Sequence, residues 1–426
     1  MAVGPLGARA LWSREIDLTE YVLPGDTVAW SHAGAEPRGV LAQLLDQRHK
    51  LGGINAFLTG VSFGGALSPE HADVIGFRGI GGLGTHRALA NAGVLDVLPC
   101  RYADLPRLID DGTVRVDVVV VAGSLPDADG RLSLGPTVAV SHELLARART
   151  TIVEINPNIP FVLGDTLVPI DAFDRIVYSE LDPVVMPTPP APTEGTRRIC
   201  ELIAELVPDG ATTQMGIGSI AQGLPACLAR HRHLGVHSAI LTDGVMELIR
   251  SGVVDGSGKE RDQGLAVGGE LIGSSRLYEF AGRNPAIALH RSSDLLAEAT
   301  LGSFDRLISI NSALQVDLTG QVNAEAMGAV PVGAVGGQVD FVRGAARSRL
   351  GRSVIALPAT TSAGVSRIVP RLDSGVVTTA RSEVDRIVTE YGVAELRGAT
   401  LSERARALIA IADPAHRAAL RAASLC

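Results

Sequence analysis

From Asp26 onward, short β-branched runs alternate with stretches whose apolar residues recur at helical spacing. Thr27-Val28-Ala29-Trp30 leads through a glycine-containing turn to a helical pattern over residues 37–48. Residues 118–121 form an unbroken apolar run, the pattern of a strand covered on both faces. A further strand over 151–155 enters the loop Asn156-Pro157-Asn158-Ile159-Pro160, and Gly164-Asp165-Thr166 suits an ordered turn. This alternation predicts a mainly parallel sheet with helices on both sides. Five prolines, Pro183, Pro187, Pro189, Pro190 and Pro192, then interrupt any helix or inner strand and favour a stiff, extended linker. The chain therefore divides into an N-terminal α/β domain over 1–186, a linker over 187–196 and a C-terminal α/β domain over 197–426. The second half restarts with an amphipathic helix over 197–206. It alternates again through Gly216, Ala239, 307–310, 354–357 and 387–389, and ends in an Ala/Leu/Arg-rich segment, 401–422, that reads as helical.

A chain of 426 residues with 46% hydrophobic content is long enough for two or three full cores. The net charge of −8 and pI near 5.7 give no global attraction to nucleic acid or to an anionic membrane. Cys100, Cys200, Cys227 and Cys426 lie far apart without Cys-x-x-Cys spacing, which indicates neither a zinc site nor a disulfide framework and suits a reducing cytoplasm. Residues 1–5 lack the start of an export signal, and apolar runs such as 118–122 and 407–412 are too short to span a bilayer. The expectation is a cytoplasmic protein with small-molecule partners, no nucleic acid and no membrane.

Candidate chemistry concentrates in two stretches, Thr213-Gln214-Met215-Gly216-Ile217-Gly218-Ser219 and Leu234-Gly235-Val236-His237-Ser238-Ala239, with Asp243-Gly244 closing the second. The first reads as a strand end turning into a helix start. Backbone N–H groups at Gly216 and Gly218 can then approach an oxyanion or a phosphate. The same glycines also suit a tight turn that lets a helix pack closely on the sheet. A third glycine and a following acidic residue are missing, as is a Walker loop, so no nucleotide redox cofactor is indicated.

Together with Gly336-Gly337-Gln338-Val339-Asp340-Phe341-Val342-Arg343-Gly344, these stretches resemble the acetyl-CoA hydrolase/transferase family, which includes the 4-hydroxybutyrate CoA-transferases. Ser31-His32-Ala33-Gly34-Ala35-Glu36-Pro37, Glu154-Ile155-Asn156-Pro157-Asn158, Asn311 to Asp317, Ser366 to Pro370, Thr378 to Arg381 and Thr389 to Gly392 extend the likeness over nearly the whole chain. The resemblance implies two open α/β domains of the CoA-transferase type with mainly parallel sheets and the active site at their junction. It implies coenzyme A, as acyl-CoA substrate, held mainly by the second domain, with an acyl acceptor, no metal and a homodimeric assembly. It also implies oxyanion or CoA contacts at Gln214, Gly216, Ile217, Gly218, Gly336, Gly337, Gln338 and Asp340.

In that family a glutamate attacks the acyl-CoA and passes through an anhydride to a glutamyl-CoA thioester, a covalent relay that splits one hard exchange into easier steps. The motif carries it after His-Ser or His-Thr, where this chain has Ala239. The family's asparagine that positions the reacting groups falls at Leu296. Two departures together read as natural divergence. A replacement acid or base is then expected at Glu270, a carboxylate in the apolar, glycine-flanked Val267-Gly268-Gly269-Glu270-Leu271, where burial would raise its pKa. His237, on the same face as Ala239 if the strand continues, and His32 from the first half are further candidates. Asp243 reads as a turn or N-cap residue, Arg343 as an anion partner or a salt bridge, and Glu390 and Tyr391 as architectural. The resulting functions are CoA transfer with its glutamyl route blocked, direct acyl transfer, condensation or hydrolysis of a CoA thioester, or inactive acyl-CoA binding.

Overall fold

The structure, a computed structural model, describes residues 11–187, 190–372 and 375–424; residues 1–5, Pro189 and Cys426, considered above, lie outside them. The described residues form two compact units, 11–187 with Gly268–Asp294 and, for the second, 190–267 with the described part of 295–424.

In the first unit, eight strands run parallel: β1 (Leu11–Trp12), β2 (Thr27–Trp30), β3 (Ile54–Leu58), β4 (Ile75–Gly79), β5 (Leu95–Val97), β6 (Val118–Gly123), β7 (Thr150–Ile155) and β8 (Arg175–Tyr178). Their order is β1-β8-β7-β6-β2-β3-β4-β5. Ala29 of β2 pairs with Phe57 of β3 and with Val119 of β6, and every residue of β6 is buried, which is why its sequence has no polar alternation. The chain winds from β2 out to β5, then returns to β6 on the other side of β2. That reversal puts the topological switch point at β2 and β6, and ligands of open α/β sheets bind beyond the carboxyl ends of the strands there. Ser31 and His32 follow β2 directly. The helix Arg38–Gln47 behind them starts on a buried carboxylate: Glu154 of β7 accepts from the Gly39 N–H at 3.1 Å and the Val40 N–H at 2.6 Å.

In the second unit β9 (Thr212–Met215), β10 (Gly235–His237), β11 (Ala266–Gly268), β12 (Leu307–Ser312), β13 (Arg352–Ala356), β14 (Arg386–Thr389) and β15 (Gly392–Glu395) lie in the order β11-β10-β9-β12-β13-β14-β15. Pairing is parallel except for the β14–β15 hairpin. Here the winding reverses at β9, so Met215 and the glycines after it emerge at this unit's switch point.

The structure differs from the sequence reading in three places, two of them with a local physical reason. The segment Gly268–Asp294 lies with the first unit although it falls inside the 197–426 span. The helix read over 197–206 spans Glu194–Glu205, because Thr193 caps it by accepting from the Thr196 N–H at 3.2 Å and so starts it within the 187–196 linker. The C-terminal segment is two helices, Leu401–Ile411 and Arg417–Ala423, divided at Pro414, which cannot continue the first.

Candidate active site

His32 is 4% exposed, hydrogen-bonded at one nitrogen and faced by a carboxyl group at the other. Nδ1 lies 2.9 Å from Thr59 Oγ1, whose hydroxyl donates to the Trp30 carbonyl at 3.4 Å. That leaves the threonine oxygen to accept Nδ1–H. Nε2 then faces Glu270 Oε2 at 3.1 Å, an ion-pair distance without hydrogen-bond alignment. Thr59 and Gly60 follow β3, and a Cβ at Gly60 would collide with the imidazole, so only glycine leaves the ring its place. Glu270 enters from the segment 268–294: its backbone bridges to Thr137, Leu271 N–H donates to the Pro136 carbonyl at 2.7 Å, and Thr137 Oγ1 donates to the His32 carbonyl at 3.2 Å. Two sequence candidates, His32 and Glu270, are thus brought together inside one unit. The carboxylate expected to stand alone in an apolar strand is paired with an imidazole, its side chain 14% exposed.

More ionisable groups continue from this pair. Glu36, 5% exposed, has its carboxyl pushed up by burial, opposed by bonds from the Ser62 hydroxyl and the Gly64 N–H and by the charges of His32 and Arg38. His86, 3% exposed, is held down at about 4 by burial and by repulsion from His32, and its ring bonds to the Gly60 backbone. On the Glu270 side, Tyr102 is a half-buried residue whose hydroxyl is buried. Burial and the neighbouring Glu270, Cys100 and Glu143 push its phenol well up. Glu143 Oε1 accepts from Ser293 at 2.9 Å. Sequence reading missed Thr59, Gly60, His86, Tyr102 and Glu143 as site residues, and it passed over Glu36 within a quoted motif. They come from separate places in the chain, Thr59 and Gly60 after β3, Tyr102 in a short turn of helix and Glu143 in the helix Ser141–Arg147, so only the winding of the fold reveals them as neighbours.

In the second unit, the glycine stretch turns from β9 into the helix Ser219–Leu228. Gly218 has φ +111°, a conformation that favours glycine, and a Cβ at Gly216 or Gly218 would meet nothing within 4 Å. Close helix packing therefore does not explain Gly216, and its backbone and that of Ile217 are open to a ligand. Gln214 is committed to the sheet: its Oε1 accepts from Ser309 Oγ at 2.9 Å, the Ile310 N–H at 3.2 Å and Asn311 Nδ2 at 3.1 Å. Ala239 stands in a bend beyond β10, so it does not share a strand face with His237. Ser238 Oγ donates to the Met215 carbonyl at 2.8 Å, which holds position 239 close to the residue before Gly216. His237 is buried, its Nε2 2.9 Å from the Leu295 carbonyl and its ring against Phe304, a brace between elements.

Leu296 is buried, with a methyl 3.6 Å from where a Cβ of Gly337 would lie. Gly336 has φ +54°, and Gly337 caps the helix Gln338–Arg347. Gln338 Nε2 donates to Thr379 Oγ1 at 3.0 Å, Asp340 is buried in the first helical turn, and Arg343 pairs with Glu383 at 2.5 Å. Asp243 is the first helical residue of Asp243–Arg250, with Thr242 at the N-cap position. Glu390 accepts from the Ala359 N–H and Tyr391 donates to Asp413. Among the described residues, no group of three or more His, Cys, Asp or Glu side chains is arranged to hold a metal ion.

Comparison with known proteins adds the following. Residues 11–187 match the acetyl-CoA hydrolase/transferase N-terminal domain and residues 273–424 the acetyl-CoA hydrolase/transferase C-terminal domain. A 4-hydroxybutyrate coenzyme A transferase of Clostridium kluyveri is 40% identical over 339 residues, 79% of this chain and 79% of that protein. The crystal structure of RipA from Yersinia pestis superposes with a TM-score of 0.92 at 33% identity, covering 99% of this chain and 98% of that one. A 4-hydroxybutyrate CoA-transferase from Porphyromonas gingivalis gives a TM-score of 0.79 at 33% identity over 95% and 94% of the two chains.

Proposed function

Because the chain belongs to the acetyl-CoA hydrolase/transferase family, we propose that it acts on an acyl-CoA thioester by direct attack of the acceptor, with His32 and Glu270 moving the proton. The observation that carries this reading is the 3.1 Å approach of His32 Nε2 to Glu270 Oε2 with Thr59 fixing the opposite nitrogen. The family's glutamyl-CoA route is closed at Ala239, since a methyl group offers no nucleophile. In the direct route the acceptor's lone pair bonds to the thioester carbonyl carbon and its proton passes to the His32–Glu270 pair. The C–S bond then breaks and the departing sulfur of coenzyme A takes a proton. For the second unit we propose contacts to coenzyme A at the Gly216-Ile217-Gly218 turn and at Gly336, Gly337, Gln338 and Asp340. The reaction is redox-neutral and, as written, uses no metal or nucleotide cofactor.

A cytoplasmic homodimer is the form we propose for the enzyme. Among the described residues no helix is long and apolar enough to cross a membrane. The test is the release of coenzyme A from butyryl-CoA, followed with a thiol reagent. Glu270→Gln and His32→Asn are each expected to lower kcat by about 10²- to 10⁴-fold with KM for the thioester little changed, the range for losing general acid–base catalysis. The double variant should lose little more than either single one. Turnover in Glu270→Gln equal to that of the unaltered protein would remove the pair from the chemistry, and thioester binding without any turnover would identify an inactive acyl-CoA-binding protein.

A further inference from the structure

In the first unit, six buried polar atoms have no hydrogen-bond partner among the described residues and belong to groups that adjoin one another in a chain: Glu36 Oε1, His86 Nδ1, His32 Nε2, Glu270 Oε2, Tyr102 OH and Glu143 Oε2. Buried groups left without partners are rare and costly unless something else satisfies them. Their chemistry says what that is. The three carboxyl oxygens are acceptors, and so is His86 Nδ1, because the ring's bond is made to the Gly60 backbone and the imidazole is neutral at neutral pH. Tyr102 brings one hydroxyl donor. Acceptors outnumber donors, which suits a ligand bearing several N–H groups and leaves a carboxylate, itself only an acceptor, with little to bond. Charge points the same way. The cluster sets three acidic side chains, Glu36, Glu143 and Glu270, against two imidazoles, of which His86 is held down at about 4. Arg38 acts on Glu36 at a distance, its guanidinium bonded to the Asp182 carbonyl.

We propose that this cluster receives the acyl acceptor and that the acceptor is a small primary amine, not a carboxylate, an assignment that rests on the thioester reading above. The amine nitrogen bonds to the thioester carbonyl carbon and gives its proton to the His32–Glu270 pair. The carbon–sulfur bond breaks, and the products are an amide and free coenzyme A.

The experiment gives the unaltered protein butyryl-CoA with 2-aminoethanol, with acetate or with buffer alone, measuring thiol release and identifying the acyl product by mass spectrometry. The expected result is saturable acceleration by 2-aminoethanol with N-butyryl product, about tenfold or more over acetate, the scale of one like-charge repulsion at a partly buried site. Glu143→Gln should raise KM for the amine about tenfold with KM for butyryl-CoA unchanged, and Glu143→Asp should restore it. Conversion of butyryl-CoA and acetate into acetyl-CoA and butyrate, which frees no thiol and is read by mass spectrometry, would overturn the inference while leaving the thioester reading intact; so would release that no acceptor accelerates. Absence of both thiol release and acetyl-CoA under every condition would sink the thioester reading itself, and the acceptor assignment with it. The acceptor comparison on the unaltered protein decides the matter even if the Glu143 variants fail to fold.

Discussion

Between a threonine hydroxyl and a glutamate carboxyl, the imidazole of His32 is fixed in place: Nδ1 lies 2.9 Å from Thr59 Oγ1 and Nε2 3.1 Å from Glu270 Oε2. Gly60 is the floor under that ring. Gly60→Ala should push the imidazole off Glu270, lowering kcat about 10²-fold and stability by about 1–3 kcal/mol, the usual cost of overpacking. Kinetics and urea unfolding on the same sample check both, and a variant with full activity would separate His32 placement from turnover. His86 supplies a pH test. Its native value near 4 lies below the ordinary 6.5, so between those values the unfolded chain binds a proton that the folded one refuses. Stability should therefore fall as pH drops from about 6.5 to about 4, by at most about 3 kcal/mol. Glu36, pushed up, acts in the opposite sense, losing its contribution as pH rises through its raised value. The comparison is for this reason the unaltered protein against His86→Gln, whose urea midpoints at pH 7.5 and 4.5 should differ less. An unchanged difference would mean that His86 titrates normally.

At the scale of elements, the strands were the legible part, because β-branched runs such as 118–121 are buried on both faces and read as such. The helix starts were less so. Thr193 caps its helix from inside a proline-rich stretch, and the helix Arg38–Gln47 takes its cap from Glu154, far along the chain in β7. A cap of that second kind leaves no local signal. Its worth can be measured: Glu154→Leu leaves the Gly39 and Val40 N–H groups buried and unsatisfied, and should cost about 2–4 kcal/mol in urea unfolding. A loss below about 0.5 kcal/mol would mean that another acceptor replaces the carboxylate. Local sequence marks the glycine turn more plainly than the segment after β2. Gly216 and Gly218 punctuate their turn, whereas Ser31 and His32 follow β2 with no marker beyond the family motif.

For the molecule as a whole, the sequence showed two α/β halves and a family, and it named both His32 and Glu270. It did not show that they meet. Residues 268–294 leave the second half of the chain to complete the first unit, and that return is set by long-range pairing such as Thr137 with Glu270, invisible to any window along the sequence. The same return brings Glu270 within 3.1 Å of His32, the pair on which the proposed direct route depends. Intact-protein mass spectrometry during turnover of butyryl-CoA, beside an Ala239→Glu variant, addresses that route most directly. The account predicts that the unaltered protein releases coenzyme A while its mass stays constant, and that a coenzyme A adduct appears only when glutamate is restored at position 239. A coenzyme A adduct on the unaltered protein, or release of coenzyme A by the Ala239→Glu variant alone, would contradict it.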